Sequence, residues 1–594
     1  MRSVRWTLRW NLDAVALALL AMVSFGISLK FAFDMPLLWG ADERAHAGYT
    51  IDVMEGRLPT IHTPVLDDPA RFPELSASLD GWKTVGRQIW VANHPPLYYL
   101  LTAPLMAVAE WLGVPAAGFL AMRVVNAAGT AASVVLVGLI ARELVPGRRS
   151  VPLLAAAIAA SASTLAMEGG YGYNDGLAAV AGSATLLYGI RLLRRGPRRG
   201  LLVAAALTGA LAAGLKAPNL VAVAACTLMA GIAVLLYGPK RRWLAAAGTA
   251  TLVGGVPALG FGWFYLRNLY LYGDLTAASA LFTAFGRRSH YTVLETITSV
   301  DFQRHLFESF WIRPGYDPHL RPIPDALFAA AVIGLLLLLA DWLRRRYAAP
   351  GTPSVPGPQA AADGPSAAGT PPSVTGQRCQ PAGPVAAVPA RRAAWCALLG
   401  HAVLLFLLLS QFRSGGGYLS QRYLLPVMPI TATLLAVGVC RLAEVVPTRD
   451  RQRWQAMVSM LVSTGMLGLA FVAYRASMVS VERSAKVPGL EHSALEGPAP
   501  ALALGVAALA ALGFVILQAR RVLELPDQDG GQPGSRTSGT DSDRAHHLVG
   551  GAPEDPIEGQ GQLPDIRSAP TQVNSGSAEN STAIFTRCSA YLFA

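Results

Sequence analysis

The chain alternates long apolar runs with short polar connections over most of its length. A window of about 20 residues, the length of helix that crosses a bilayer core, finds thirteen apolar segments. They lie near 13–33, 95–112, 117–142, 151–168, 174–193, 200–216, 218–237, 244–266, 325–343, 394–411, 423–442, 455–475 and 500–519. This pattern predicts an all-α polytopic membrane protein.

Short basic clusters stand at the ends of these segments and predict their orientation. Positive charge collects on the cytoplasmic side of membrane proteins. The clusters that we therefore expect in the cytoplasm are Arg2, Arg5 and Arg9; Arg142, Arg148 and Arg149; 191–199; 240–242; 344–346; 449–453; and Arg520 with Arg521.

One apolar segment cannot span if these clusters share a side. Two segments lie between the outer loop after Phe33 and the inner Arg142, and the weaker of them, 94–112, opens with HPPLYY and carries Glu110. We expect this segment to lie along the outer interface. The sequence thus predicts about twelve transmembrane helices, cytoplasmic termini and a long first extracytoplasmic loop with interfacial helices.

Composition supports a membrane class and argues against nucleic acid as a partner. Hydrophobic residues make up 53% of the chain, charged residues 14%, and the mean hydropathy is +0.39, whereas soluble domains carry about 25% charged residues. The net charge of +12 is confined to helix ends, so no basic binding face is predicted. The lipid bilayer is the partner that the composition indicates.

Two segments lack the large apolar residues that a packed core needs, and we expect them to be disordered. They divide the chain into a transmembrane module, 1–347, a Pro/Ala/Gly linker, 348–390, C-terminal transmembrane helices, 391–524, and a cytoplasmic tail, 525–594.

The connections predicted outside carry the most unusual polar residues. They are loop one, 34–93; the tip GGYGYND, 169–175; the tip KAPN, 216–219; the connection that opens with RNLYLYGD, 267–274, and contains FESFWIRPGYDP, 307–318; and SGGGYLSQRY, 414–423. The inner connections are short and basic, and no GxxxxGK or GxGxxG phosphate loop precedes a helix. Any activated substrate is therefore expected on the outer side.

These pieces resemble the GT-C superfamily of polytopic glycosyltransferases, and within it the bacterial branch related to protein O-mannosyltransferases and lipid A aminoarabinose transferases. The matching residues are Asp42, Glu43 and His46; HPPLYY, 94–99; YND, 173–175; the RN-x4-GD-like stretch, 267–274; SFW, 309–311; and QRYLLP, 421–426. One departure is FWIRPGYDP where an FWG-type sequence is expected.

The resemblance implies a GT-C-like fold in a bacterial plasma membrane. It also implies a polyprenyl-phosphate sugar donor, an inverting transfer, and an acceptor that is a cell-envelope glycan, lipid or protein. It identifies neither the sugar nor the acceptor.

The chemistry of such a transfer predicts roles for the polar residues. The leaving phosphate is already an anion, so the site needs cations and one base rather than the carboxylate pair of a glycosidase. By resemblance and position, Asp42 is the expected catalytic base. Its neighbour Glu43 is expected to orient the acceptor or a nearby cation. The alternative is an acidic pair at a helix end.

Three cations at the outer ends of helices are candidates for the donor phosphate: Arg267, Arg422 and Lys216. Arginine offers phosphate a bidentate fork, so we rank the two arginines above the lysine. The alternative for each one is a long side chain that reaches the interface by snorkelling.

Further candidates for substrate binding are His46, His94, Asp175, Tyr418, Gln421 and Tyr423. Helix capping is an alternative for His94 and Asp175, and an interfacial aromatic belt is one for the tyrosines. We assign no residue as a metal ligand and leave a divalent metal cofactor open. Asp42, Glu43 and Asp175 could supply oxygen ligands to a divalent cation, but their spacing does not require one.

Two other function classes stay open at this stage. A lipid or solute transporter would bury ionisable residues at mid-membrane between broken helices. A polysaccharide polymerase or ligase would also work at the outer face, but would take a whole glycan from a diphosphate carrier.

Overall fold

A computed structural model describes most of the chain. The described residues are 2–82, 84–238, 242–289, 291–311, 318–320, 322–347, 384–418, 420–448, 450–484, 495 and 497–525. Most of the predicted linker and nearly all of the predicted tail lie outside these residues. The last part of the predicted linker, 384–390, forms the start of a helix, Pro384–Ser414.

The described residues form α-helices joined by short connections. In chain order these are α1 (Arg2–Asp34), α2 (Glu43–Met54), α3 (Pro73–Ser78), α4 (Leu97–Trp111), α5 (Pro115–Leu144), α6 (Ser150–Ala160), α7 (Ser163–Gly169), α8 (Asp175–Arg195), α9 (Arg199–Leu215) and α10 (Asn219–Tyr237). They continue with α11 (Arg242–Tyr272), α12 (Ala278–Ala284), α13 (Val293–Thr298), α14 (Val300–Trp311), α15 (Pro322–Tyr347), α16 (Pro384–Ser414), α17 (Met428–Ala443), α18 (Arg451–Ser484) and α19 (Ala499–Leu523). The 3-10 turns are Thr84–Arg87, Trp90–Asn93, Pro318–Leu320 and Gln421–Val427.

The predicted all-α polytopic fold is confirmed, whereas the predicted number of spans is not. Ten helices in the described part of the chain are long and apolar enough to cross a membrane, or up to eleven if the bent pair α6–α7, with its 57° kink, counts as one. At 17 residues, α9 is shorter. The segment assigned to the interface forms α4, whose 15 residues span about 22 Å, less than a bilayer core of about 30 Å.

Close packing of α5 against α8 brings together the residues discussed below. A Cβ atom at Gly176, in the first turn of α8, would lie 2.2 Å from the carbonyl oxygen of Asn126 on α5. One turn further along α5, a Cβ atom at Gly129 would lie 2.5 Å from the same stretch of α8. Small residues allow helix backbones to approach this closely, and the approach places Asp175 beside α5.

Loop one folds as a compact cap with its own core. Its helices α2 and α3 pack with α4 around buried Leu38, Tyr49, Phe72 and Trp90. Loop one is tied to α11 because the Tyr272 hydroxyl accepts a hydrogen bond of 3.1 Å from the Ile61 amide. We call the end of the bundle that carries this cap the loop-one end.

Two of the basic clusters, 142–149 and 191–199, lie at the opposite end from this cap. Asp175 begins α8 at the loop-one end, and Arg194 near the end of the same helix contacts Glu143 at 2.7 Å. Arg148 pairs with Glu444 at 2.8 Å. The structure thus separates the connections that carry the unusual polar residues from these two basic clusters.

Cysteine labelling in intact cells tests the orientation of the two ends. In a chain whose five native cysteines are replaced, cysteines at the exposed loop-one-end positions Asp80 and Thr298 should react with an impermeant thiol reagent. Cysteines at exposed Arg198 and Arg391 should react only after lysis. Labelling of the second pair from outside would place Asp42 in the cytoplasm and contradict the predicted topology.

Candidate active site

Asp42 lies at the start of α2, where loop one meets the bundle. Its Oδ1 accepts a hydrogen bond of 3.1 Å from Trp90 Nε1, and its Oδ2 accepts one from Arg422 Nη2. Its backbone amide donates to the Tyr173 hydroxyl at 3.2 Å. The carboxylate is 20% exposed, so it is held on several sides while part of it stays accessible.

Glu43, the next residue, points instead into the protein and binds Arg123. The carboxylate accepts from Arg123 Nε at 2.6 Å and from Nη2 at 2.8 Å. It also accepts from the amides of Gly172, at 2.8 Å, and Gly40, at 3.2 Å. The Glu43 and Arg123 side chains are 3% and 0% exposed. Glu43 is thus fully engaged with a buried cation, Arg123.

Arg123 uses every N–H group of its guanidinium. Besides the two bonds to Glu43, it donates to the carbonyl oxygens of Ala32 at 2.7 Å, Met35 at 2.8 Å and Pro36 at 2.6 Å. These carbonyls lie at the end of α1, where the helix leaves its backbone acceptors without internal partners. Arg123 therefore joins α5, the end of α1 and the start of α2.

Asn126, one turn after Arg123, fixes the connection between α7 and α8. Its amide donates to the carbonyls of Glu168, at 2.5 Å, and Tyr171, at 2.9 Å. Its Oδ1 accepts from the Gly176 amide at 2.6 Å. These bonds hold the tip 169–175 against α5, and with it Tyr173 and Asp175.

Arg422 lies at the centre of a charged cluster at the loop-one end. Besides its bond to Asp42, its Nη1 lies 3.8 Å from Asp175 and 3.9 Å from Glu168. Lys216 Nζ donates to Asp175 Oδ1 at 2.5 Å. Four of the connections that the sequence predicts to be on the outer side thus meet here. Arg422 Nε and Asp175 Oδ2 are buried and have no hydrogen-bond partner among the described residues.

His46 and His94 form an aromatic layer behind Asp42. Their rings stack with centroids 6.0 Å apart, His46 Nδ1 shares a hydrogen bond of 2.9 Å with the Tyr99 hydroxyl, and Tyr173 lies 5.2 Å from His46. Burial lowers the pKa of His46 to about 3, against the opposing charge of Asp42. His46 is therefore neutral at physiological pH, where it can accept or donate a hydrogen bond but supplies no charge to a phosphate.

Arg267 contacts the loop-one backbone. Its Nη2 donates to the Pro59 carbonyl at 2.7 Å, and its buried Nη1 has no hydrogen-bond partner in the described part of the chain. The next residue, Asn268, donates to the Asn93 carbonyl at 3.0 Å. Arg267 thus holds loop one in place, and no direct contact joins it to Asp42.

Three candidates for substrate binding that are close to Arg422 in the sequence, Tyr418, Gln421 and Tyr423, occupy different positions. The Tyr423 ring lies 5.7 Å from the Arg422 guanidinium. Gln421 is half-buried at the start of the same 3-10 turn, and Tyr418 is 55% exposed. Tyr423 is thus the residue of the three that lies against the cluster.

Electrostatics keep Asp42 ionised. Burial alone would raise the pKa of Asp42, but the charge and hydrogen bond of Arg422, together with the hydrogen bond from Trp90, hold it well below its usual range. A carboxylate bound to arginine is a weak base.

The carboxylates that could have held a divalent cation do not converge on one point. Glu43 is occupied by Arg123, and Asp175 by Lys216. Within the described residues, no three His, Cys, Asp or Glu side chains are arranged to hold a metal ion. The ligand set Asp42, Glu43 and Asp175 therefore does not fit a metal in this arrangement.

Sequence reasoning missed four residues of the site: Trp90, Arg123, Asn126 and Glu168. It also missed the role of Tyr173 as a hydrogen-bond partner of the Asp42 backbone. Arg123 and Asn126 carried a usable signal, because both interrupt an apolar run and they lie three residues apart on one helix face. Glu168 gave a weaker signal at the end of its segment.

The buried pair predicts a large effect on stability. Arg123→Met leaves Glu43 charged and buried without its partner, and we expect a loss of about 3–5 kcal/mol. Arg71→Met, which removes an exposed arginine from Glu110, should cost about 0–1 kcal/mol. Thermal unfolding of both variants in detergent measures the difference, and equal midpoints would show that the buried pair does not hold loop one.

Comparison with known proteins identifies no family by sequence. No protein-family model matches the sequence, and no curated protein sequence matches it.

Solved structures do show a likeness. One is ArnT from Cupriavidus metallidurans in the apo state, with 16% identity, a TM-score of 0.37, and coverage of 88% of this chain and 78% of that one. The same protein bound to undecaprenyl phosphate has 16% identity and a TM-score of 0.37, with coverage of 87% of this chain and 77% of that one. A third is the archaeal oligosaccharyltransferase AglB from Archaeoglobus fulgidus, in complex with an inhibitory peptide and a dolichol-phosphate. It has 14% identity and a TM-score of 0.37, with coverage of 87% of this chain and 56% of that one.

These neighbours are GT-C proteins, the superfamily that the sequence motifs resemble. At TM-scores below 0.5 the likeness carries no argument about chemistry, which has to rest on the geometry of the site.

Proposed function

We propose that this protein is a membrane glycosyltransferase that moves a sugar from a polyprenyl-phosphate donor to an acceptor hydroxyl at the extracytoplasmic face of a bacterial plasma membrane. The observation that carries the proposal is the contact between Asp42 and Arg422. A carboxylate that can act as a base lies against a guanidinium whose buried Nε has no hydrogen-bond partner among the described residues. Buried polar groups are nearly always paired, so the free Nε supports binding of a further acceptor atom, such as a phosphate oxygen.

The donor phosphate has two cations available in this cluster. Arg422 and Lys216 are both held by carboxylates at the loop-one end. Arginine can bind two phosphate oxygens at once, whereas lysine provides a point charge. We propose that both contact the phosphate, with Arg422 dominant, and that Arg267 acts by positioning loop one.

Donor binding would change the state of Asp42. When Arg422 binds the phosphate, it releases a carboxylate oxygen of Asp42 for the acceptor hydroxyl. Asp42 takes the hydroxyl proton, the oxygen attacks the anomeric carbon, and the bond between that carbon and the phosphate oxygen breaks. The electron pair stays on the phosphate, whose charge Arg422 and Lys216 stabilise. This displacement inverts the anomeric centre.

The other site residues have supporting roles in this proposal. Glu43 acts by positioning, because its carboxylate is fully engaged by Arg123 and two amides. His46 and His94 provide an uncharged wall, and Tyr423 lies where it can contact the sugar. Asp175 holds Lys216.

The broken helix bears on the transporter alternative. The kink between α6 and α7 contains Ser161 and Ala162, which are not ionisable, and the charged Glu168 lies near the end of α7. The kink itself therefore carries no ionisable side chain, and the charged cluster around Arg422 lies at the loop-one end. A polymerase or ligase would also work at the loop-one end. It differs from the proposed enzyme in using a diphosphate-linked donor.

Replacement of Asp42 by Asn tests the proposed function. The amide keeps the size of the side chain but cannot take a proton, so transfer should fall about 100-fold or more. Transfer is measured with the purified full chain in nanodiscs, a radiolabelled polyprenyl-phosphate hexose and an extract of cell envelopes as acceptor. Binding of polyprenyl phosphate is measured in parallel and should persist.

The matched control is Asp80→Asn, which alters an exposed carboxylate of loop one and should leave transfer unchanged. Near-normal transfer by Asp42→Asn would show that Asp42 is not the base. Transfer from a diphosphate-linked glycan, but from no monophosphate donor, would favour the polymerase.

The pH dependence should separate the free protein from the donor complex. In the free protein Arg422 keeps the pKa of Asp42 low, so Asp42 stays ionised. Protonation of Asp42, and the loss of activity that follows from it, is therefore expected only in strong acid. In the donor complex Arg422 is shared with a phosphate, and the pKa of Asp42 rises. The acid limb of kcat, which reports the complex, should therefore lie at higher pH than that of kcat/KM, which reports the free protein.

The variant Arg422→Gln provides the control for this prediction. Without the guanidinium the pKa of Asp42 in the free protein is no longer held down, so the acid limb of kcat/KM should move to higher pH and approach that of kcat. Coincident limbs in the unaltered protein would argue against the exchange of Arg422 between the two anions.

A further inference from the structure

A basic pocket lies beside the candidate site at the loop-one end. Its volume is about 270 Å³, and it is formed where the connection after α12 meets the end of α16. The lining residues are Gly286, Arg287, Arg288, Tyr291, Arg413 and Gly416.

The pocket is a product of close packing between these two segments. Gly416 has a φ of +104°, and a Cβ atom there would lie 3.2 Å from the Arg288 backbone. A side chain at this position would be strained and would push the segments apart. The glycine thus allows three arginines from two distant segments of the chain, Arg287 with Arg288 and Arg413, to line one cavity.

The three arginines have no acidic partner within 4 Å among the residues that the structure describes. Arg413 donates to the Gly417 carbonyl at 3.2 Å and lies 5.6 Å from the Tyr291 ring, and Arg287 lies 4.7 Å from the Phe285 ring. By contrast, Arg71 of loop one contacts two glutamates. Three positive charges that line one cavity without carboxylates favour an anionic ligand.

Two aromatic contacts connect the pocket to the site. Trp90, which donates to Asp42, lies 6.1 Å from Phe285. On the other side, Tyr423 lies 5.6 Å from Phe412, next to Arg413. Burial lowers the pKa of Arg287, and the carboxylate of Asp42 is close enough to oppose that effect. The pocket is therefore a neighbour of the candidate base, separated from it by a layer of aromatic rings.

We infer that this pocket binds an anionic group, a phosphate or a carboxylate, on the acceptor, near the hydroxyl that receives the sugar. The inference rests on the proposed function. A polyprenyl-phosphate sugar carries a single phosphate, and Arg422 and Lys216 account for it beside Asp42. A second anion at the pocket must therefore belong to the other substrate. The acceptor class is accordingly an acidic glycan.

Binding of simple sugars tests the inference without any need for transfer. The full chain in phosphatidylcholine nanodiscs is titrated with glucose 6-phosphate, glucuronate and glucose, and binding is followed by ligand-observed NMR. We expect one or both acidic sugars to bind at least ten times more tightly than glucose, and the stronger of the two identifies the anion. The combined substitutions Arg287→Gln, Arg288→Gln and Arg413→Gln should abolish the difference, and the three Arg→Lys substitutions should retain most of it.

Control variants exclude general effects of charge and of folding. Arg198→Gln, Arg391→Gln and Arg392→Gln remove three exposed arginines elsewhere and should leave binding unchanged. Polyprenyl phosphate should bind the glutamine variant normally, which also shows that it is folded.

Three results would overturn the inference. The first is equal binding of glucose 6-phosphate by the glutamine variant and the unaltered protein. The second is loss of that binding in Arg422→Gln alone, which would place the anion at the donor site. The third is its loss in phosphatidylglycerol nanodiscs, which would assign the pocket to membrane headgroups. Failure of the proposed function appears separately, as near-normal transfer by Asp42→Asn.

Discussion

The arrangement of the site depends on one buried ion pair, Glu43 with Arg123. Removing two charges from water is costly, and the cost is offset only when geometry and additional hydrogen bonds satisfy both groups. Here all five N–H groups of Arg123 are used, and both oxygens of Glu43 accept two bonds each. The pair fixes the start of α2, and Asp42 is the residue immediately before it. The position of the candidate base thus follows from a residue that takes no part in the chemistry.

A second constraint is the sharing of Arg422 among carboxylates. In the free protein Arg422 bonds to Asp42 and lies near Asp175 and Glu168, so the charges of the cluster offset one another. Such a cluster is stable without a ligand and still able to bind a phosphate, because the guanidinium retains an unused N–H. The exchange also gives the proposed order of events a physical cause, since Asp42 is released as a base only once the donor is present.

The apolar periodicity and the positive-inside pattern predicted the helical fold and the separation of its two ends, because both follow from the bilayer as solvent. They could not decide the count of spans, which depends on a 17-residue helix and a kinked pair. Asp42, Lys216, Asp175 and Arg422 meet as expected for residues of outer connections. Arg267 lies against loop one instead, because proximity in three dimensions depends on how that loop folds, and its fold depends on Arg123 and Asn126. Both residues lie inside an apolar run that was assigned as a membrane span from its length, so their polar side chains were not considered.

The two oxygens of Asp42 face different neighbourhoods, and this difference gives the site a direction. Oδ2 is bound by Arg422, beside the carboxylates and Lys216, whereas Oδ1 is bound by Trp90, which contacts Phe285 and through it the basic pocket. A base that takes a proton from one substrate while the other loses its phosphate must lie between the two. A cation cluster on one side of Asp42 and a separate arginine pocket on the other provide that arrangement. The ring pairs Trp90–Phe285 and Phe412–Tyr423 lie between the two groups of cations, so in the proposed complex each anion would have its own group.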